Sequence, residues 1–435
     1  MKWIFTIIFV GCFCFCFSIF AVQDEVLEKM GFTRAHQQGL TGKGVNILVI
    51  DQPVYDQHPA IKERVTPLSR PGRGGGVNAH GTNVTSVIVG QDPGGDVNGG
   101  APDAYVYSIS PPEFLNLEDR LLPGDVSIVS MSAKYPFPID HPDFERFAIK
   151  LNNFLSRNNA ILVVATGNRG RMIFDRRDSM MDQGLRFAEM LARYPEIGEK
   201  MIFVGNVNHT ENSLFGSSQE RLDTLAVVLQ RYGFTLEQFL VAVDLLTEET
   251  FQEVYGNIES YYSGGVFDLY QFDTDFEAVL NEKMKEQFGF LLDELANNLF
   301  DPPMETGGDY GRLLQFVEDL ITNVVRFLAD QPYYLAPRSN RPGETFADKT
   351  MVAFGVELSV ADVIRDSSGL VYTSKLASGT SESTPLVSSA IAIILEKYPD
   401  LTPLQAGQLL LDSATSTDHP TIFGRGLLNL DSAFR

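Results

Sequence analysis

Between Gly44 and Ile50 the chain places Val45, Ile47, Leu48, Val49 and Ile50, apolar residues on both faces of any strand they could form. Such a strand has to be covered by a layer above and a layer below, which helices following parallel strands provide. The same kind of run returns at Ala104 to Ile109, Val126 to Met131, Ala160 to Ala165 and Met201 to Val207. Between these runs, His80 to Val89 and Asp143 to Arg157 carry helical spacing. The alternation predicts an α/β domain built on a parallel sheet.

After Ser217 the rhythm stops. Residues 219–333 read as long amphipathic helices rich in Leu, Phe, Glu and Asp. The clearest carries Leu313, Phe316, Val317, Leu320, Ile321, Val324 and Leu328 on one stripe. Thr235 with Gln238 fits a capping box, and Pro302-Pro303 and Gly307-Gly308 divide the run. A strand pattern resumes at Thr350 to Val356, and a long helix opens near Thr384. The expected plan is a segment at 1–21, a first part of the α/β domain at 22–218, an all-α insertion at 219–340 and a second part of that domain at 341–435. The insertion reads as a packing module without chemistry of its own, and the sequence names no partner for it.

At the start, Lys2 precedes an almost wholly apolar stretch from Trp3 to Val22. This predicts an export signal cleaved near Ala21, with a membrane tether through residues 3–22, or lipidation near Cys12, as alternatives. The location expected is therefore secreted or periplasmic. All three cysteines, Cys12, Cys14 and Cys16, fall in that segment, so the exported chain would hold neither disulfide nor thiol nucleophile. A formal net charge of −22 argues against nucleic acid, whose phosphates need clustered Lys and Arg. It reads as solubility and repulsion between copies.

Four short segments together suggest chemistry. Asp51 ends the first buried strand, at the carboxyl edge where open α/β sheets place their sites. His80-Gly81-Thr82 opens a helix behind the glycines at 72–76. Ala165-Thr166-Gly167-Asn168 ends another strand, and Gly379-Thr380-Ser381-Glu382-Ser383-Thr384-Pro385 turns into an apolar helix. A serine hydroxyl needs a base, histidine is the base suited to neutral pH, and a buried carboxylate holds its tautomer. Asn168 and the Ser381 N–H could hold an oxyanion. Taken alone each has a plainer reading, as a strand-end cap, a surface histidine, a turn asparagine or a helix N-cap. The other histidines, His36, His58, His141, His209 and His419, read as structural or surface residues.

The order Asp, His, Asn, Ser with these flanks resembles the subtilisin-like serine proteases (subtilases). The resemblance rests on Ile47 to Asp51, His80 to Val84, Ala165 to Asn168 and, most specifically, Ser378 to Pro385. Gly99 to Pro102, Met201 to Gly205 and Gly424 to Asn429 support it, over residues 40–217 and 345–435. It implies a three-layer subtilisin-like fold with a central parallel sheet of about seven strands flanked by helices, here interrupted by the all-α insertion. It also implies endopeptidase action on polypeptides, with a triad of Asp51, His80 and Ser381 and an oxyanion hole of Asn168 and Ser381. Substrate contacts are expected from Ser132, Ala133, Lys134, Thr166 and Gly167.

The chain departs from the family in places. Gln52-Pro53 follows Asp51, Thr85-Ser86 lies on the histidine helix, and Glu382 directly follows the nucleophile. Lys134 and Tyr135 stand where the family's specificity-pocket glycines are expected, predicting a narrowed or positively charged pocket. No cofactor or metal is expected, although Asp92 and Asp96 leave room for a weak calcium site; the family's side-chain ligand position falls at Pro93. The short stretch between the apolar segment and the domain leaves no room for an N-terminal pro-domain. Two other functions use the same residues differently. One is an impaired homologue acting as a scaffold through its insertion, against which the four retained residues weigh. The other is an esterase, disfavoured because Ser381 lacks the G-x-S-x-G setting.

Overall fold

The computed structural model describes residues 25–71, 77–92, 97–132, 141–168, 190–191, 193–208, 334–336, 339–366, 369–417 and 420–435, with isolated positions between 230 and 287. The apolar segment at 3–22, with its cysteines, lies outside them, as do Ala133, Lys134, Tyr135, Pro93, Asp96, His209 and His419. Among the described residues no helix is long and apolar enough to cross a membrane.

The strands are β1 (Asn46–Ile50), β2 (Val65–Pro67), β3 (Tyr105–Ile109), β4 (Ile128–Met131), β5 (Ile161–Ala165), β6 (Met201–Asn208), β7 (Tyr262–Ser263), β8 (Val266–Phe267), β9 (Tyr334–Leu335), β10 (Thr350–Phe354), β11 (Leu358–Asp366) and β12 (Gly369–Ala377). The chain divides into two compact units, Met1–Phe174 with Asp182–His209 and Gln331–Arg435, and Asp175–Met181 with Thr210–Asp330. The second contains the antiparallel pair β7–β8, which the helical reading of that stretch did not include.

The first unit is built on an eight-stranded sheet ordered β10-β6-β5-β4-β1-β3-β2, with neighbours on this path parallel and β9 antiparallel on the end of β6. Side chains alternate between its two faces. Leu48, Ile50, Val129, Met131, Leu162, Val164, Met201 and Phe203 join a core with Phe144, Phe147, Leu151 and Phe154 of α2 (Pro142–Asn158). On the other face lies α3 (Thr380–Lys397), buried from Thr380 to Ile394, where Ser388 Oγ meets Ser130 Oγ of β4 at 2.9 Å. Beside it, α4 (Pro403–Asp412) brings Gly407 against Ile161 and Ile202. Helix, sheet and helix make the three layers expected from a strand apolar on both faces.

β11 and β12 form a long antiparallel hairpin from Leu358 to Ala377. It packs along α1 (His80–Val89), whose Asn83 Nδ2 donates to the Ala361 carbonyl at 2.6 Å. The Ser86 hydroxyl donates to the Asn83 carbonyl at 2.7 Å and accepts from the Ala361 N–H at 2.9 Å. The serine that departs from the family pattern thus ties the helix to the hairpin. His58 is buried and reaches the Thr373 carbonyl at 2.9 Å, His36 meets the Gly100 carbonyl at 2.9 Å, and His141 caps α2. These three are structural.

Candidate active site

The carboxyl ends of three adjacent strands meet at one place: Asp51 follows β1, Ser132 follows β4, and Thr166, Gly167 and Asn168 follow β5. This is where an open parallel sheet leaves a crevice. Asp51 is fully buried. Its Oδ1 accepts from the Gln52 N–H at 2.7 Å and from His80 Nδ1 at 2.6 Å. A carboxylate only accepts, so the Nδ1 proton lies on the imidazole and Nε2 is left for another partner. No protein donor reaches Asp51 Oδ2 among the described residues, and Pro53, two residues on, has no N–H to offer.

His80 begins α1, and Gly81 lets that helix close on the loop after β1. A Cβ at Gly81 would lie 1.9 Å from the Gln52 carbonyl oxygen. Thr82 Oγ1 completes the clamp by accepting the Tyr55 N–H at 2.9 Å. Gly81→Ala is therefore expected to push the imidazole away from Asp51, costing about 1–3 kcal/mol of stability by overpacking. Thermal unfolding and an NMR titration of His80 would check this, the imidazole pKa falling as the ion pair loosens.

That pKa is raised to about 9. Burial pushes it down most strongly among single effects, but the Asp51 charge and hydrogen bond, helped by the Glu382 charge, together outweigh burial.

Ser381 lies in the first turn of α3. Pro385, four residues on, cannot donate to the Ser381 carbonyl, and the Ser132 hydroxyl does so at 3.0 Å. The Ser381 hydroxyl points back to the Ser132 carbonyl at 3.4 Å. Among the described residues it makes no hydrogen bond to His80, so the structure joins Asp51 to His80 but leaves Ser381 Oγ turned aside. Apo sites are commonly loose in this way, tightening only when substrate is bound.

Asn168 is oriented by its neighbours. The Thr380 N–H donates to its Oδ1 at 2.9 Å and the Thr380 hydroxyl at 3.1 Å. With the carbonyl end so held, the Nδ2 end remains a donor. Gly167, at φ 104°, takes a left-handed turn that favours glycine. Its N–H meets Thr380 Oγ1 at 3.3 Å, and its carbonyl accepts from the Asn340 N–H at 3.0 Å. Thr166 is buried, and Asn340 Nδ2 donates to its carbonyl at 2.9 Å. The hydrogen bonds of these two residues thus run to Val204, Asn340 and Thr380. Ala133 and Lys134 lie outside the described residues.

Sequence reasoning missed Asn206. It is buried at the end of β6, with Oδ1 accepting from the Gly355 N–H at 2.9 Å and lying 3.1 Å from Ser383 Oγ. It thereby anchors the first turn of α3. The one polar side chain inside the otherwise apolar run at 201–207 was the available signal. Among the described residues no cluster of three or more His, Cys, Asp or Glu could hold a metal ion.

Comparison with known proteins agrees with this plan. A profile described as the Subtilase family matches residues 42–426. Subtilisin DY from Bacillus licheniformis is 40% identical over 62 residues, which are 14% of this chain and only 22% of that relative. Among solved structures, the prenylagaramide maturation protease PagA shares 15% identity over 93% of this chain and 97% of its own, with a TM-score of 0.49. Fervidolysin from Fervidobacterium pennivorans shares 15% over 94% of this chain and 45% of its own, with a TM-score of 0.48. With the family profile spanning nearly the whole chain, this protein belongs to the subtilase family.

Proposed function

We propose that this chain is an exported serine endopeptidase acting on polypeptides. The observation that carries the reading is the 2.6 Å pair between buried Asp51 and His80 at the sheet edge, with Ser381 at the start of α3. In the proposed reaction His80 Nε2 takes the Ser381 proton as Oγ attacks the scissile carbonyl. Asp51 holds the imidazole and stabilises the imidazolium, which then returns the proton to the leaving amine. Asn168 Nδ2 and the Ser381 N–H hold the oxyanion, and water completes the second half-reaction. The apolar stretch from Trp3 to Val22 supports export, with a tether through it as the variant of that reading. No metal or other cofactor enters this chemistry.

The test is hydrolysis of an unstructured polypeptide beside a simple ester of the same acyl group. The reading expects peptide cleavage that depends on Ser381. Ester cleavage without peptide cleavage would overturn it, as would folded protein with neither activity, which would favour a scaffold. Asn168→Ala is expected to lower kcat by about 10²–10³ with little change in KM, the range established for the oxyanion-hole asparagine of subtilisin itself. Steady-state kinetics on the peptide substrate would check this.

A further inference from the structure

Asn206 is a buried amide that the reaction above does not use, and its bonds converge on the turn that carries Ser381. It is 3% exposed and stands on β6 beside Ala353 of β10. Its backbone is fixed first: the N–H donates to Ser339 Oγ at 2.8 Å, and the carbonyl accepts the Ala336 N–H at 3.0 Å. Its side chain then takes both polar groups of one residue. Oδ1 accepts the Gly355 N–H at 2.9 Å, and Nδ2 donates to the Gly355 carbonyl at 3.3 Å. A backbone N–H only donates, which settles which end of the amide is oxygen.

Gly355 lies between β10 and β11, where the chain enters the hairpin, and Gly379 lies between β12 and α3, just after the chain leaves it. The Gly379 N–H donates to the Gly355 carbonyl at 2.9 Å, so the two ends of the hairpin meet beside Asn206. Gly379 is the N-cap of α3 and offers no side chain to cap it. Its carbonyl accepts the N–H groups of Glu382 at 3.1 Å and Ser383 at 3.3 Å, closing a turn with Ser381 inside it. Ser383 is fully buried, its Oγ 3.1 Å from Asn206 Oδ1 and 3.0 Å from the Ala353 carbonyl. A Cβ at Gly355 would lie 2.2 Å from that Oγ, so glycine permits the close approach. The same turn is held at Thr380 by Asn168.

We propose that Asn206 is a positioning residue for Ser381: through Gly355 and Ser383 it fixes the first turn of α3, and with it the place of the nucleophile and of the Ser381 N–H relative to Asn168. The inference rests on the triad reading for its effect on rate, but not for its hold on the turn. The Ser381 hydroxyl makes only the 3.4 Å contact to the Ser132 carbonyl, so its place is set by its backbone. A displacement of about 1 Å in a reacting group costs about 10² in rate. Only an amide serves here. Alanine would leave the buried Gly355 N–H without Oδ1, and aspartate would keep an acceptor but lose the donor and bury a charge.

The experiment compares the full chain with Asn206→Ala, Ser383→Ala and the double variant. Asn206→Ala is expected to lower kcat for peptide by about 10² with KM nearly unchanged, and to slow fluorophosphonate labelling per folded molecule in the same proportion. Ser383→Ala leaves the amide paired with Gly355 and should cost about tenfold. The double variant should fall well short of the product of the two, because both act on one turn. Amide hydrogen exchange at Gly379, Glu382 and Ser383 should quicken by about tenfold or more in Asn206→Ala as the turn opens locally. Parental kcat in folded Asn206→Ala, a loss confined to KM, or fully multiplicative effects would overturn the proposal. Should Asn206→Ala fail to fold, parental kinetics and exchange in Ser383→Ala would overturn it. Faster exchange in a chain whose parent neither labels nor hydrolyses peptide would uphold the hold on the turn while rejecting the protease reading. Unchanged exchange there would overturn the inference itself.

Discussion

Ser381→Ala is expected to lower kcat for peptide hydrolysis by about 10⁶ with KM nearly unchanged, the magnitude established for loss of the nucleophile in subtilisin itself. The size comes from removing the one atom that forms the acyl bond, while the Asn168 amide and the binding surface stay in place. A residual rate above that of water should remain from those groups. The fold should survive. The hydroxyl makes one long contact, to the Ser132 carbonyl at 3.4 Å, and a neutral bond of that kind contributes no more than about 1 kcal/mol. The Ser381 carbonyl, which a side-chain substitution does not touch, keeps the Ser132 hydroxyl at 3.0 Å. Kinetics beside thermal unfolding would check both halves, and a variant as active as its parent would remove Ser381 from the mechanism.

Asp51→Asn should cost about 10⁴ in kcat/KM near neutral pH, the typical size when a triad carboxylate becomes an amide. Two physical effects combine. The first is charge: without the Asp51 charge and hydrogen bond the His80 pKa should fall from about 9 to near or below 6.5. That frees the base at lower pH but removes the anion that stabilises the imidazolium and holds its tautomer as the proton transfers, and that loss dominates. The second is hydrogen bonding. Oδ1 receives both the Gln52 N–H and the His80 Nδ1–H, so an amide nitrogen placed there would face two donors. Turned the other way, that nitrogen occupies the Oδ2 position, where no described partner exists. A buried donor left unpaired costs about 1–3 kcal/mol, so stability should drop as well. A pH–rate profile with an NMR titration of His80 would check this. An unchanged imidazole pKa would contradict the assigned pairing.

Much of the frame was legible because burial on both faces leaves a plain mark. The apolar runs ending at Ile50, Met131 and Ala165 are three adjacent central strands, and their last residues lead directly into the site. Segments with mixed faces were less legible. β11 and β12 carry Ser359, Asp362, Arg365, Thr373 and Lys375 among apolar residues, because the hairpin packs on α1 with its inner strand and meets water with its outer one. The turn marked by Gly369 between two β-branched runs was its readable signal. β2, three residues long, offers too little pattern to find.

Within the site, residue types announced their chemistry but not their partners. Thr166 and Gly167, expected to contact substrate, also bind Val204, Asn340 and Thr380 within the fold. Asn340 arrives from far along the chain, so no local spacing could have exposed that bond. The orientation of Ser381 Oγ is a rotamer choice, on which sequence is silent. Glu382 was visible as a departure after the nucleophile, but its burial is supplied only by tertiary packing.

The most direct test of the central claim is to treat the folded chain with a fluorophosphonate and locate the adduct by peptide mass spectrometry. An activated serine is predicted to carry the phosphonyl group on Ser381 alone, with Ser132, Ser378 and Ser383 unmodified and labelling faster as pH rises through the His80 titration. An adduct on another serine, or no adduct on protein shown to be folded, would contradict the account.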